Sequence, residues 1–342
     1  PISIYCILSL CQLKTNYCLV VTQIYTGDKM ENNINNIENL LKSDSNCKVG
    51  FVSIVGRSNV GKSTLLNAII GEKIAITSDK PQTTRSRIKG IYNDEESQII
   101  FLDTPGVQKP KNKLGSYMAK EVSLSSSTAD VIVYVVDESE KIGRLDHNII
   151  ENLKKTKQPK IVVLNKIDKL SEDKIFDIIK MYDEIGIFDD IVPVCAIKKK
   201  NVGELVKTIK KYLVYSAKFF PDDMTTDQSN KVMISEIIRE KILNYTNQEI
   251  PHGTAVEVVR IVDHQEKNMI EISIIIYCER DSHKKIIIGK NGRKLKGIGK
   301  SARVELEEIF GCKVFLETWV KVKENWRDNI NYIREFGYTQ QD

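Results

Sequence analysis

The sequence predicts two unequal domains: an α/β domain whose parallel sheet carries helices on both faces, then a smaller α+β domain. Three observations carry this reading. Short apolar strands recur near residues 51, 99, 131, 161 and 191 with helix-length stretches between them, and a glycine-rich turn joins the first strand to its helix. After a polar break near residue 220, a second pattern restarts in the order helix, strand, strand, helix, helix, strand. A length of 342 residues suits two domains and a flank, and 41% hydrophobic with 28% charged residues excludes a disordered chain. The net charge of +5 excludes little by itself. Seven cysteines, at 6, 11, 18, 47, 195, 278 and 312, are scattered without a C-x-x-C pair. That argues against a disulfide framework and a zinc site, and makes a reducing cytosol the expected compartment.

The chain opens on Pro1, and its apolar run to Leu13 is broken by Gln12 and Lys14, too short for a membrane span. It has neither a basic leader region nor a small-residue cleavage site, so it does not read as a signal peptide. Gly27-Asp28-Lys29-Met30 back-translates to a purine-rich stretch before a start codon, so translation is expected to begin at Met30. An intact mass that includes residues 1–29 would refute this. Residues 1–47 are therefore set aside as an extension, with domains expected at 48–215 and 231–325, a linker at 216–230 and a tail at 326–342.

Residues 50–55 form a β-branched and aromatic strand, followed by Gly56-Arg57-Ser58-Asn59-Val60-Gly61-Lys62-Ser63-Thr64 and a helix over 64–70. The pattern G-x-x-x-x-G-K-[ST] between strand and helix is a phosphate loop. Its glycines let consecutive N–H groups face a β-phosphate, Lys62 supplies a mobile cation, and Ser63 offers a magnesium ligand. About forty residues later, a strand over 98–102 delivers Asp103-Thr104-Pro105-Gly106, where the carboxylate reaches the metal through water and the Gly106 amide approaches a γ-phosphate. Between them, Thr83 or Thr84 in Pro81-Gln82-Thr83-Thr84-Arg85 can close on the metal as switch loops do. A core strand is expected over 129–136. Asp137, Glu138 and Asp146 read as solvated or capping acids.

The strand over 160–164 ends in Asn165-Lys166-Ile167-Asp168. A carboxylate at Asp168 can accept from the N1–H and 2-amino group of guanine, which adenine lacks, so the position discriminates GTP from ATP. Lys166 can lie along the base and Asn165 can brace the phosphate loop. After the strand over 191–194, a backbone amide within Cys195-Ala196-Ile197 is placed to meet the guanine oxygen. A helix over 202–214 closes the domain. Val107, following Gly106, cannot orient a water, so hydrolysis is expected to be slow without a partner. Asn59 is either a loop-stabilising amide or a ligand for K+ beside the phosphates.

In the second pattern, helix 232–243, strands 254–262 and 269–278, helix 294–310 and strand 313–323 frame the basic run Lys284, Lys285, Lys290, Arg293, Lys294, Lys296, Lys300 and Arg303, which holds no acid. Ile288-Gly289-Lys290-Asn291-Gly292-Arg293 contains a G-x-x-G turn between helices, a form that lets a sugar-phosphate backbone approach and points to single-stranded RNA. Trp319 and Trp326 are stacking candidates, with core packing expected of Trp319.

Together these residues resemble the Era family of bacterial GTPases with a C-terminal KH domain of type II topology. The resemblance runs from about Val49 to Tyr338 and adds Gln82-Thr83-Thr84-Arg85, the stretch 235–241 and Trp319-Val320-Lys321-Val322-Lys323 to the motifs above. It implies a P-loop GTPase domain and a KH domain, GTP/GDP and Mg2+ as cofactors, and Lys62, Thr84 and Gly106 as catalytic residues. Ser63, Thr84 and, through water, Asp103 would be the metal set, with Thr84 preferred over Thr83. The implied role is a switch that binds the 3′ end of small-subunit ribosomal RNA and assists its processing and assembly of the pre-ribosomal small subunit. The protein would be a monomer in the cytoplasm, partly peripheral on the inner face of the cell membrane. Two departures stand out: Ser58 where proline is frequent, and Cys195 where serine is frequent. Competing readings are another ribosome-assembly or RNA-modification GTPase, an ATP-using kinase, and an RNA-binding protein with a vestigial nucleotide site. A second phosphate loop, a lost guanine motif, or a missing Lys62 or Asp103 would have pointed to them.

Overall fold

The computed structural model describes residues 47–78, 80, 83–85, 87–246 and 250–338. The expected start at Met30, residues 1–46 of the extension, and Pro81 and Gln82 lie outside the described residues. The first domain is built on β1 (Lys48–Val55), β2 (Ile88–Asn93), β3 (Ser97–Asp103), β4 (Val131–Val136), β5 (Lys160–Leu164) and β6 (Asp190–Pro193), in the order β2-β3-β1-β4-β5-β6. Strands β3, β1, β4, β5 and β6 run parallel. All of them therefore end at one edge, where their loops gather.

The alternation along β4 shows why both faces are covered. Val131, Val133 and Val135 join a core with Leu65, Leu66 and Ile69 of α1 (Lys62–Ile70) and Leu205, Val206 and Ile209 of α5 (Val202–Lys211). Ile132, Tyr134 and Val136 join another with Ile149, Ile150 and Leu153 of α3 (Arg144–Leu153) and Ile178 and Tyr182 of α4 (Glu172–Asp183). A strand buried on both faces needs six consecutive apolar residues, and β4 has them.

Two elements differ from the sequence reading. β2 is antiparallel to β3 at the sheet edge, joined by a tight turn in which Asp94 accepts from the Glu96 N–H at 3.0 Å and the Ser97 hydroxyl at 2.9 Å. The closing helix stops at Lys211, because the chain turns back so that β7 (Val214–Tyr215) can pair antiparallel with Lys48 and Val49.

The second domain follows the expected order: α6 (Asn230–Tyr245), β8 (Ala255–His264), β9 (Met269–Cys278), α7 (Asp281–Ile288), α8 (Arg293–Phe310) and β10 (Lys313–Val322). Its sheet is ordered β10-β9-β8, with β9 parallel to β10 and antiparallel to β8. The segment expected as a linker is tied to the first domain. The Gln98 side chain accepts from the N–H groups of Phe219 and Phe220, the Phe219 ring lies 5.6 Å from Phe51, and Ile91 donates to the Thr225 carbonyl.

Residues 326–338, set apart as a tail, are a packed part of both domains. Their aromatic and aliphatic side chains, Trp326, Ile333 of α9 (Ile330–Glu335) and Tyr338, bury themselves with Ala255 and Tyr277 against Leu114 and Met118 of α2 (Lys113–Thr128). The tryptophan expectations are thereby reversed. Trp326 is fully buried and donates to the Gly253 carbonyl at 2.9 Å, whereas Trp319 is 47% exposed on β10.

Candidate functional site

Loops after β1, β3, β5 and β6 enclose a cleft of about 630 Å3. At one end, three oxygen-bearing side chains converge from three separate segments. The Ser63 hydroxyl, on the first turn of α1, donates to Asp103 Oδ2 at 2.7 Å and lies 2.9 Å from the Thr84 hydroxyl, which itself donates to Asp103 at 3.2 Å. Thr83 turns the other way, its hydroxyl donating to the Lys80 carbonyl at 2.6 Å. Asp103 is fully buried, and its Oδ1 has no hydrogen-bond partner among the described residues. Burial pushes the Asp103 carboxyl up from its ordinary value, against the pull of Lys62 and the two hydroxyls. Two hydroxyls beside a carboxylate with an unspent oxygen are a hard-oxygen donor set that fits Mg2+.

Lys62 lies under the loop, its ammonium donating to the carbonyls of Gly56 at 3.1 Å and Arg57 at 2.8 Å. Burial lowers its pKa to about 8, with Asp103 opposing the shift. Gly61 has φ of 97°, and a Cβ there would fall 2.3 Å from Asn165 Nδ2. That close approach lets Asn165 brace the loop: its amide donates to the Val60 carbonyl at 2.9 Å and accepts from the Ala196 N–H at 3.0 Å.

The other end is framed by Asn165, Lys166, Asp168, Cys195, Ala196 and Ile197. The Cys195 thiol donates to Asp168 Oδ1 at 3.2 Å, and Lys198 lies 3.5 Å from Oδ2. Asp168 is held below its ordinary pKa, first by the thiol hydrogen bond. The cysteine thus supplies a donor to the Asp168 carboxylate, as a serine hydroxyl would. Lys166 sits 3.6 Å from Glu138, which also pairs with Lys169 at 2.9 Å.

Ser58, Asn59, Gly61, Lys62, Ser63, Thr64, Thr84 and Gly106 line the cleft, whereas Gly56, Arg57, Val60, Thr104, Pro105 and Val107 do not line it. Thr104 donates to the Ile54 carbonyl at 2.7 Å, and the Val107 N–H donates to Gly56 at 3.0 Å. The Arg57 side chain turns away from the cleft, to Asp137 and Asp146 at 2.8 Å each. Asp146 corrects the reading of a solvated acid: it is 2% exposed and also accepts from the Tyr134 hydroxyl at 2.7 Å. An acid in the first turn of α3 reaches these partners because α3 packs directly on β4.

The residue after Thr84 leaves the first domain altogether. Arg85 is 1% exposed, and its guanidinium donates to the carbonyls of Thr254 at 2.6 Å, His252 at 2.9 Å and Pro251 at 3.2 Å, and to the Tyr338 hydroxyl at 3.3 Å. It lies 5.7 Å over the Trp326 ring and 5.9 Å over that of Tyr338. Around it, Arg239 donates to the Thr83 carbonyl, Lys80 to the carbonyls of Leu243 and Thr246, and the Thr77 N–H to Glu240 at 2.9 Å. Sequence reasoning missed Arg85 as a contact, and nothing local signals it: its partners are backbone carbonyls distant in sequence.

In the second domain, Ile288 ends α7, Gly289, Lys290, Asn291 and Gly292 form the turn, and Arg293, Lys294 and Lys296 lie in the first turn of α8. Gly289 has φ of 73°, and a Cβ there would lie 2.7 Å from that of Lys294. Lys290, Asn291, Arg293 and Lys296 are exposed. The turn opens onto a groove of about 450 Å3 between α8 and β10, lined by Leu295, Lys296, Gly299, Lys300, Arg303, Phe315, Leu316 and Thr318. The groove extends the surface beyond the turn; Lys300 and Arg303, one helical turn apart on α8, were its sequence signal.

Residues 51–166 match the family described as "50S ribosome-binding GTPase", and residues 249–327 match the KH domain family. The chain is 59% identical to GTPase Era of Clostridioides difficile over 85% of its length and 98% of that protein. It is 53% identical to GTPase Era of Alkaliphilus oremlandii over 85% of its length and 99% of that protein. A crystal structure of Era in complex with MgGDPNP and nucleotides 1506–1542 of 16S ribosomal RNA superposes with a TM-score of 0.83 at 44% identity, over 86% of this chain and 99% of that one. A variant of Aquifex aeolicus Era bound to GDP·AlF4− superposes with a TM-score of 0.82 at 44% identity, over 85% and 99%.

Proposed function

As this chain belongs to the Era family of GTPases, we propose that it hydrolyses GTP as a switch governing how its KH domain grips the 3′ end of small-subunit ribosomal RNA, in support of rRNA processing and small-subunit assembly. The observation that carries this reading is the adjacency of Thr84 and Arg85: one hydroxyl faces the metal set, and the next guanidinium is buried in the second domain. A change at the γ-phosphate that moves Thr84 moves Arg85 with it.

Ser63 and Thr84 would hold Mg2+, and Asp103 would orient it through water. The ion supplies charge neutralisation for phosphoryl transfer. Lys62 exchanges its two loop carbonyls for phosphate oxygens, and the Gly106 amide faces the γ-phosphate. Val107 offers no hydrogen bond from its side chain, so turnover is slow until another group aligns the water. Asn59, exposed within the phosphate loop, is the candidate to hold K+ beside the phosphates. The basic turn and groove give a backbone-tracking surface beside an exposed Phe315 and Trp319, which suits unpaired bases. The same reading implies a monomer in the cytoplasm with a fraction peripheral on the membrane. Among the described residues, no helix is long and apolar enough to cross a membrane.

The test is the affinity of the full chain for an oligonucleotide matching the 3′ end of its own small-subunit rRNA, with a non-hydrolysable GTP analogue, with GDP, and with neither. The expected result is tighter binding with the analogue. Equal affinity in all three states would overturn the switch.

A further inference from the structure

We propose that Asn244, in the second domain, belongs to the nucleotide site and contacts the sugar of the bound nucleotide; this rests on reading the cleft as a guanine-nucleotide site. Among the described residues, the cleft is lined by side chains between 58 and 197, with Asn244 as the exception. Asn244 is the penultimate residue of α6 and is exposed.

Its place at the cleft follows from three ties between α6 and the segment leading into the switch. Arg239 donates to the Thr83 carbonyl, Glu240 accepts from the Thr77 N–H at 2.9 Å, and the Lys80 ammonium takes the carbonyls of Leu243 and Thr246. Glu240 and Asn244 are one turn apart on one helix face. The contact that fixes Glu240 on Thr77 therefore also brings Asn244 to the cleft.

The chemistry selects the sugar. The base end is committed to Asp168, and the phosphate end to Lys62, Ser63 and the loop amides. At the C-terminal end of α6 the Leu243 and Thr246 carbonyls are taken by the Lys80 ammonium, so what Asn244 itself presents to the cleft is an uncharged carboxamide. An uncharged carboxamide matches a sugar hydroxyl better than a phosphate oxygen, which calls for a cation or a row of amides. The Asn244 carboxamide oxygen accepts from a ribose hydroxyl.

The experiment compares GTP with 2′,3′-dideoxy-GTP on the full chain, by competition against a fluorescent GDP analogue. The wild type should prefer GTP by about five- to tenfold, the range of one good hydrogen bond. Asn244→Ala should lower GTP affinity to the dideoxy level and leave dideoxy-GTP unchanged. Lys80→Met, which loosens the helix end, should weaken GTP binding in the wild-type background and add little to Asn244→Ala. A wild type indifferent to the hydroxyls, or an Asn244→Ala protein that keeps the wild-type ratio, overturns the proposal. A wild type that binds neither nucleotide overturns the reading of the cleft itself.

Discussion

Replacing Arg85 should separate the two halves of the molecule without destroying either. Its guanidinium serves three carbonyls and one hydroxyl of the second domain inside a site 1% exposed. Arg85→Met fills similar volume but leaves those acceptors without a donor. A net loss of about 3 kcal/mol follows, between the cost of one charged hydrogen bond and that of breaking a buried ion pair. That is roughly a hundredfold in the equilibrium that docks the switch on the KH domain. The assay is fluorescence anisotropy of a labelled rRNA 3′-end oligonucleotide with GTP analogue, GDP or no nucleotide. The wild type should show clear nucleotide dependence, and Arg85→Met should bind within about twofold in all three states. Its GTP affinity should fall by no more than about tenfold, the share the second domain contributes. Arg85→Lys should be intermediate, since an ammonium cannot span the same carbonyls as a planar fork. An Arg85→Met protein with wild-type nucleotide dependence would refute the reasoning.

Lys62, with its pKa lowered to about 8 in the free protein, should regain its proton when phosphates bind. At pH 8.5 GTP binding should take up roughly three quarters of a proton, less at pH 7, read by calorimetry in buffers of different ionisation heat. Because the folded pKa lies below the unfolded one, nucleotide-free stability should rise between about pH 8 and 10.5; Lys62→Met should abolish both effects. Asp168→Asn should shift preference from guanosine to xanthosine nucleotides, and unchanged GTP affinity would defeat the assignment. Gly289→Asp forces a side chain into φ of 73° and against Lys294, and places an acid on a basic turn. It should weaken RNA binding at least tenfold and leave nucleotide affinity alone, with normal RNA retention as the refuting result. Hydrolysis in K+ should exceed that in Na+ if Asn59 holds a cation, and equal rates would remove the idea.

The nucleotide site was legible because its chemistry is written in contiguous residues. A phosphate loop needs Gly61, Lys62 and Ser63 next to one another, and strand ends deliver Asp103 and Asp168 to the same edge whatever the crossovers do. Thr84 was separable from Thr83 only by resemblance; the structure separates them by which hydroxyl faces Asp103. What escaped depends on distant partners. Asp146 has the sequence context of a capping acid, and only the packing of α3 on β4 brings Arg57 and Tyr134 to it. β2 was missed because a single Asx turn makes the hairpin. Trp326 and Trp319 were exchanged because the pattern along β10 gives alternation but not which face a helix will cover. Arg85 reads as one more basic loop residue until its acceptors are in place.

The contact between domains is chemically divided, and the division bears on how a switch can work. On the α2 side, Leu114 and Met118 pack with Trp326, Ile333 and Tyr338, an apolar contact indifferent to small shifts of direction. On the switch side the contact is polar: Arg85 on carbonyls, Arg239 on Thr83, Lys80 on the end of α6, and Lys73 on Glu240 and Glu305 at 2.7 and 2.6 Å. Arg85 Nε is buried without a hydrogen-bond partner among the described residues, burial lowers the pKa of the guanidinium, and the neighbouring Arg239 lowers it further. A cation held under those conditions depends on its full set of acceptors, so a small displacement of Thr84 costs several hydrogen bonds together. Both segments expected to sense the γ-phosphate lead directly to this interface. Thr84 is followed by Arg85, and Gly106 leads into α2, whose first N–H is accepted by Asp328 at 3.1 Å. On the proposed switch, a directional polar clamp beside a tolerant apolar pivot would convert loss of one phosphate into a change of angle rather than a separation of domains.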